Sequence, residues 1–157
     1  MKPILGLRER FQRRDEAGFA GGAEALLFGL LLFVTGTLLV AYAWNVVDTK
    51  SAVVAAAREG ARSFVEAPNP SVAAPLATQA AEAAIAGYGR DPSRAQVAVT
   101  SGAFARCARI TITVRYPLPL VVVPFLGHIG GGGSAQAVHS ELVDPYRSGL
   151  AGSARCG

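Results

Sequence analysis

A chain of 157 residues with a hydrophobic share of 51% and a net charge of +4 has room for one membrane anchor and one small folded domain. Its 15 Lys and Arg residues are scattered among 11 Asp and Glu, apart from one dense cluster of Lys2, Arg8, Arg10, Arg13 and Arg14. Only that cluster offers the charge density that nucleic-acid binding needs, and beside an anchor its simpler role is to set orientation.

Residues 1–22 therefore read as a basic cytoplasmic leader. From Ala25 to Val47 the chain carries no charged side chain, with Glu24 and Asp48 at its two ends. At about 1.5 Å per residue, a helix over this run matches the ~30 Å hydrocarbon core of a bilayer. Residues 23–47 are the expected transmembrane helix. A secretory signal peptide is the competing reading, but its apolar core is about 7–15 residues and ends in a small-residue cleavage site. Here the run is longer and leads into polar helix. Lys50, Arg58 and Arg62 follow the run at lower density than the cluster before it, which places the N-terminus inside and the C-terminal domain outside.

Within the run, Gly22, Gly29, Gly36 and Ala43 recur every seven residues, on one slowly drifting helical stripe. Small side chains let helix backbones approach closely in lipid. The general abundance of glycine in membrane helices accounts for the same pattern. Tyr42 and Trp44 suit the interfacial aromatic belt. Glu24 is either a carboxylate solvated at the headgroup zone or a charge that meets a partner during assembly.

Asn45 to Glu66 holds no proline and only Gly60 interrupts helix-forming composition, so the membrane helix is expected to continue as one helix from about Ala23 to Glu66. Val47, Val54, Ala57, Ala61 and Phe64 give an apolar stripe, with Arg58, Glu59, Arg62 and Glu66 off it. Pro68 and Pro70 end the helix. Ser71 to Gly87 reads as a second helix with Leu76, Ala80, Ala84 and Ile85 on its apolar face, Ala77 and Ala81 beside them, and Gly87 and Gly89 as a stop. The period then changes to two. Gln96–Thr100 and Arg109–Tyr116 alternate, the latter with Ile110, Ile112, Val114 and Tyr116 on one face. Ser134–Val143 is a third strand, with Ala135, Ala137, His139 and Glu141 on one face and Gln136, Val138, Ser140 and Leu142 on the other. Gly130–Gly133 form a hinge before it. Between strands two and three, Pro117–Leu126 is apolar and proline-broken: a loop under the sheet, or a surface touching membrane or partner. Residues 146–157 read as a flexible tail. The fold class is α+β: a transmembrane helix extended by an amphipathic one, a second helix, and a small antiparallel sheet of about three strands, the extracytoplasmic domain covering 48–145.

Cys107 and Cys156 are the only cysteines, both on the expected outer side, where a disulfide is permitted. A bridge would close a loop of about 50 residues, worth about 2–4 kcal/mol; two free thiols are the alternative. The residues of catalysis are not in evidence. His128 and His139 lack metal-ligand spacing, no Gly-x-Ser-x-Gly elbow occurs, and the glycine run lacks a phosphate loop's lysine. The chain is expected to be no enzyme, with no metal, cofactor, small-molecule substrate or nucleic acid.

The order of basic lead, glutamate, apolar helix, Ala56-Ala57-Arg58-Glu59-Gly60-Ala61-Arg62, alternating strand, Tyr116-Pro117-Leu118-Pro119-Leu120 and a final strand resembles the TadE-like family over about residues 14–145. Members are single-pass, pseudopilin-like bacterial proteins of tight-adherence (Flp) pilus assembly. Arg58, Glu59, Gly60 and Arg62 carry the resemblance most specifically. It implies a pilin-like or accessory assembly subunit, with the lipid bilayer and other pilin-like or secretion-machinery membrane proteins as partners. Pilin-like leaders are cut after a glycine, with a glutamate fifth in the mature chain. Cutting between Gly18 and Phe19 puts Glu24 sixth, one residue out of that pattern. If cut there, Glu24 pairs with a neighbour's ammonium; if uncut, with a basic residue of another subunit. The alternative function is a membrane-anchored binding module of the cell envelope that enters no filament.

Overall fold

The computed structural model describes the backbone of residues 5–118, 121–123, 127–129 and 132–156, and the side chains of residues 22, 24–118 and 132–156. Two compact units divide the chain, Met1–Ala43 and Trp44–Gly157. In its described part, from Leu5, the first is helix alone. The second is an α+β domain.

Helix α1 runs from Leu5 to Glu66. Its Glu24–Glu66 portion contains the stretch that, among the described residues, is long and apolar enough to cross a membrane. The helix begins well before the expected Ala23, because residues 5–22 contain no proline and are largely good helix formers. The basic cluster thus falls largely within helix, its side chains outside the described residues.

In the second unit, Thr49, Ala52, Val53, Ala56, Ala57, Ala61 and Phe64 of α1 are buried, as is Ala67 just after it. This corrects the expected stripe: Val47 and Val54 are exposed, at 60% and 40%. The buried face is rotated toward the alanines, whose small side chains give hydropathy patterning little contrast to detect. Arg62 and Glu66, one turn apart, form an exposed ion pair at 2.9 Å. The hydrogen bond and charge of Glu66 raise the Arg62 pKa above its ordinary value.

Helix α2 spans Pro70–Gly87. Asn69 caps it, its Oδ1 accepting from the backbone N–H groups of Ser71 and Val72 at 3.2 and 3.3 Å. Ala73, Ala77, Ala81 and Ile85 recur every four residues and are its buried positions, while Leu76, Ala80 and Ala84 flank them half-buried. The C-terminus closes with Gly89 N–H on Ala86 O at 2.8 Å and Arg90 N–H on Ile85 O at 3.3 Å. This Schellman arrangement needs a left-handed residue, and Gly89 supplies it at φ +69°.

A turn at Pro92–Arg94 leads to strands β1 (Gln96–Ser101) and β2 (Arg109–Pro117), which pair antiparallel, as do β2 and β5 (Ser134–Leu142). The order is β1-β2-β5. Ile110, Ile112, Val114 and Tyr116 form the buried face of β2, as alternation requires. On β5 the inward set is Ala135, Ala137, His139 and Glu141; Val138 and Leu142 face out.

Two departures concern the chain's irregular parts. The apolar segment Pro117–Leu126, expected as a loop, contains a further strand, β3 (Val121–Val123), which pairs as a hairpin with β4 (Gly127–Ile129) just after the segment. Leu118 N–H donates to Gly133 O at 2.8 Å, one step beyond the last β2–β5 pair, Pro117 with Ser134. The prolines therefore bracket short strands instead of preventing them. Gly130 and Gly131 of the expected hinge lie outside the described residues. The second departure is the tail, which is tied down: Arg106 N–H donates to Ala151 O at 2.8 Å and Arg106 Nε to Arg147 O at 2.8 Å.

At Gly60, α1 comes close to both α2 and β2. A Cβ there would lie 3.1 Å from Ala77 O, 3.3 Å from Ile112 Cγ2 and 3.4 Å from Ala81 Cβ. Gly60→Val should lower stability by about 2–3 kcal/mol, although leaving glycine in a helix ordinarily gains about 1 kcal/mol at best. Thermal unfolding of the detergent-solubilised chain checks this; an unchanged or raised Tm contradicts the packing described.

Candidate functional site

Among the described residues, no group of three or more His, Cys, Asp and Glu side chains could hold a metal ion. His139 and Glu141 approach to 3.7 Å on the inner side of β5, a pairing that alternation produces for any two such residues two apart. The features with functional character are surfaces, so each expected residue is placed in turn.

Glu24 is exposed at the edge of the apolar run. Along the same helix, a Cβ on Gly22, Gly29 or Gly36 would meet nothing within 4 Å, and Ala43 is exposed. The run around them presents Leu26, Leu27, Phe28, Leu30, Leu31, Leu32 and Phe33 at 61–76% exposure. A contiguous apolar surface of this size is unstable in water and is the ordinary covering of a helix in lipid or among other helices. Gly18 and Phe19 lie within α1, with side chains outside the described residues.

In the segment Ala56–Arg62, the residues divide by face. Ala56, Ala57, Gly60 and Ala61 are buried, and Arg58, Glu59 and Arg62 are exposed. The small residues hold the domain together, and the charged ones are available to solvent or partner. Arg58 and Lys50 border an open groove with Val47, Val54 and Tyr88. Neither cation lies within ion-pair distance of a carboxylate among the described residues.

Cys107 and Cys156 are joined in a disulfide, with Cα atoms 5.2 Å apart. Cys107 has φ +59°, a left-handed conformation uncommon for a residue with a Cβ. Its N–H donates to Val143 O at 3.0 Å, so the bridge is held at the end of the β2–β5 pair. Gly152, at φ +107°, passes against Arg106 so closely that a Cβ would sit 3.2 Å from Arg106 O.

Two arginines that the sequence reading did not single out are clamps within the domain. Arg147 donates to the carbonyls of Val65 and Ala67, satisfying groups that the C-terminus of α1 leaves unpaired, and its guanidinium lies 5.4 Å from the Phe104 ring centroid. Phe104 in turn meets Phe64 edge-on at 5.8 Å. Arg90 donates from Nη2 to Asp48 Oδ2 at 2.8 Å and to Asn45 Oδ1 at 3.1 Å. Its Nε is buried with no hydrogen-bond partner among the described residues. Arg90 and Arg94 approach one ring, 5.9 and 5.7 Å from the Tyr116 centroid. Beside them Asp91 accepts from Ser93 Oγ at 2.7 Å and from Ser93 N–H at 3.0 Å, and these bonds hold its carboxyl below the ordinary carboxylate range. The only sequence signal for either clamp was an arginine beside a helix-ending glycine or in a terminal segment.

Together these features describe an α+β domain carried on a helix with a lipid-length apolar stretch. Compared with protein-family models, curated proteins and solved structures, the chain finds no match.

The Arg147 clamp is testable. Arg147→Met keeps the aliphatic stem and removes both donors, and should cost about 1–3 kcal/mol by leaving two carbonyls unpaired. Denaturant unfolding of the oxidised protein measures it; equal midpoints for both proteins contradict the clamp.

Proposed function

We propose that the chain is a single-pass, TadE-like assembly subunit: a pseudopilin-like or accessory component of a type IV or tight-adherence (Flp) pilus or a related secretion system, and no enzyme. The observation that carries this reading is the continuity of α1. One helix, Leu5–Glu66, holds both the lipid-length apolar stretch and, in its last third, the buried centre of the small α+β domain. An anchor joined by a linker would leave its domain free to bind alone; an anchor that is itself the domain's core helix suits a subunit that packs by its helix. The exposed Gly22, Gly29, Gly36 and Ala43 support helix–helix approach in lipid.

In this reading the basic cluster stays in the cytoplasm, the apolar run crosses the inner membrane, and the domain with its disulfide lies outside. Glu24 sits at the cytoplasmic edge of the bilayer. There its carboxylate pairs with a basic group of a neighbouring subunit, an interaction that strengthens as the two charges lose water together and becomes costly when one is missing. Arg58, Glu59 and Arg62 offer an outward charged edge to the same neighbours.

The expected result of removing the chain from its parent cell is loss or strong reduction of sheared surface filaments. Glu24→Gln should reproduce much of that loss while leaving the amount of membrane-bound protein unchanged. Filaments of normal yield in cells lacking the chain would sink the assembly reading and favour an envelope-binding module.

A further inference from the structure

Resting on the anchor reading above, we propose that the end of the domain formed by Arg90, Arg94, Arg115 and Tyr116 docks on the anionic phospholipid headgroups of the bilayer in which its own helix sits. The position of this end follows from contacts inside the domain. Asn45 belongs to the uncharged run that ends at Val47, and Arg90 donates both to Asn45 O at 3.2 Å and to Asp48 Oδ2 at 2.8 Å. Those contacts fix the Arg90 guanidinium at the level where the run meets its first charge. Arg90 and Arg94 share the Tyr116 ring, and Tyr116 is next to the last residue of β2. This end of the sheet is thus the headgroup end. The opposite end, with Phe104, Arg147 and the disulfide, gathers at the C-terminus of α1.

What this end presents is cationic and accommodating. A groove of about 290 Å³ is lined by Arg94, Gln96, Arg115, Tyr116, Pro117 and Ser134, residues that carry two guanidiniums, an amide and two hydroxyls and no carboxylate. Arg115 gives Nε to Gln136 Oε1 at 2.9 Å, which orients it and leaves its two terminal nitrogens for a ligand. Of the nearby acids, Asp48 is paired with Arg90, while Asp91, bonded to Ser93, stays a charged carboxylate outside the groove wall, so the cations here outnumber the acids. Lys50 adds a cation one turn beyond Val47. Guanidinium forks suit phosphate oxygens, and each basic residue near an anionic surface contributes attraction that salt screens. Between β2 and β5 in the chain lies the β3–β4 hairpin, and the sequence Val121-Val122-Val123-Pro124-Phe125-Leu126 is apolar. Docking would hold the domain against the membrane through a second contact besides the helix.

The test uses the full chain reconstituted in nanodiscs of phosphatidylcholine, with and without phosphatidylglycerol, and amide exchange read by mass spectrometry. Exchange over residues 93–97 and 115–118 should slow about threefold or more in the anionic discs, and the slowing should vanish in Arg94→Gln/Arg115→Gln and at high salt. Equal exchange in both discs with the chain firmly inserted overturns this inference alone. Slowing by inorganic phosphate in phosphatidylcholine discs, equal to that with phosphatidylglycerol, overturns the lipid assignment in favour of a free anion. A chain that alkaline carbonate strips from both discs overturns the anchor reading, and this inference with it.

Discussion

The structure depends on contact between very small side chains. Ala52, Ala56, Ala57, Gly60 and Ala61 of α1 meet a domain in which α2 offers Ala73, Ala77 and Ala81, and β2 offers Ile110, Ile112 and Val114. Gly60, with Ala77 O and Ile112 both within reach of an absent Cβ, is a point of close approach. Small residues bring backbones near enough for dispersion to act over many atoms, although each buries little apolar area by itself. A core of this kind tolerates little enlargement, because its close-packed partners include backbone as well as side chains.

The same helix that supplies this core also carries the apolar run, and that double use explains the placement of the polar clamps. Arg90 ties the loop after α2 to Asn45 and Asp48, near the start of the domain's part of α1. Arg147 ties the terminal segment to the carbonyls that end the helix. The disulfide then fixes that terminal segment to the start of β2. The helix segment inside the domain is held at each end by an arginine from elsewhere in the chain, and between them by alanine and glycine. Under the proposed function, force or crowding on the anchor during assembly would reach the domain through α1 itself.

Much of this was legible in the sequence, for reasons that differ by element. The run from Ala25 to Val47 is read by length and absence of charge, and β2 by the strict alternation of Ile110, Ile112, Val114 and Tyr116 with polar residues. Antiparallel pairing of three strands follows from that period. On α1 the expected Ala57, Ala61 and Phe64 are buried, but Val47 and Val54 are exposed: they weigh more on any hydropathy pattern than Ala52, Ala56 and Gly60, which take their place in the buried face. The β3–β4 hairpin was hidden by its prolines, which argue against strand in the interior of a sheet but not in a short two-stranded extension. The docked tail could not be read at all, since Arg147 finds its carbonyl partners about eighty residues away, a pairing that no local pattern encodes. For the candidate site, Glu24 and the seven-residue stripe were visible as spacing, whereas the cationic groove depends on the Tyr116 ring bringing together residues from a turn and a strand.

The central claim is that α1 crosses the membrane once and delivers the folded domain to the outer side. Protease added to intact spheroplasts tests it most directly, with fragments followed by an epitope at each terminus and the membrane washed in alkaline carbonate. The account predicts that reductant and protease together remove the C-terminal epitope, while a membrane-embedded N-terminal fragment keeps its own until the spheroplasts are lysed. A C-terminal epitope protected until lysis, or a chain released intact by carbonate, would contradict it.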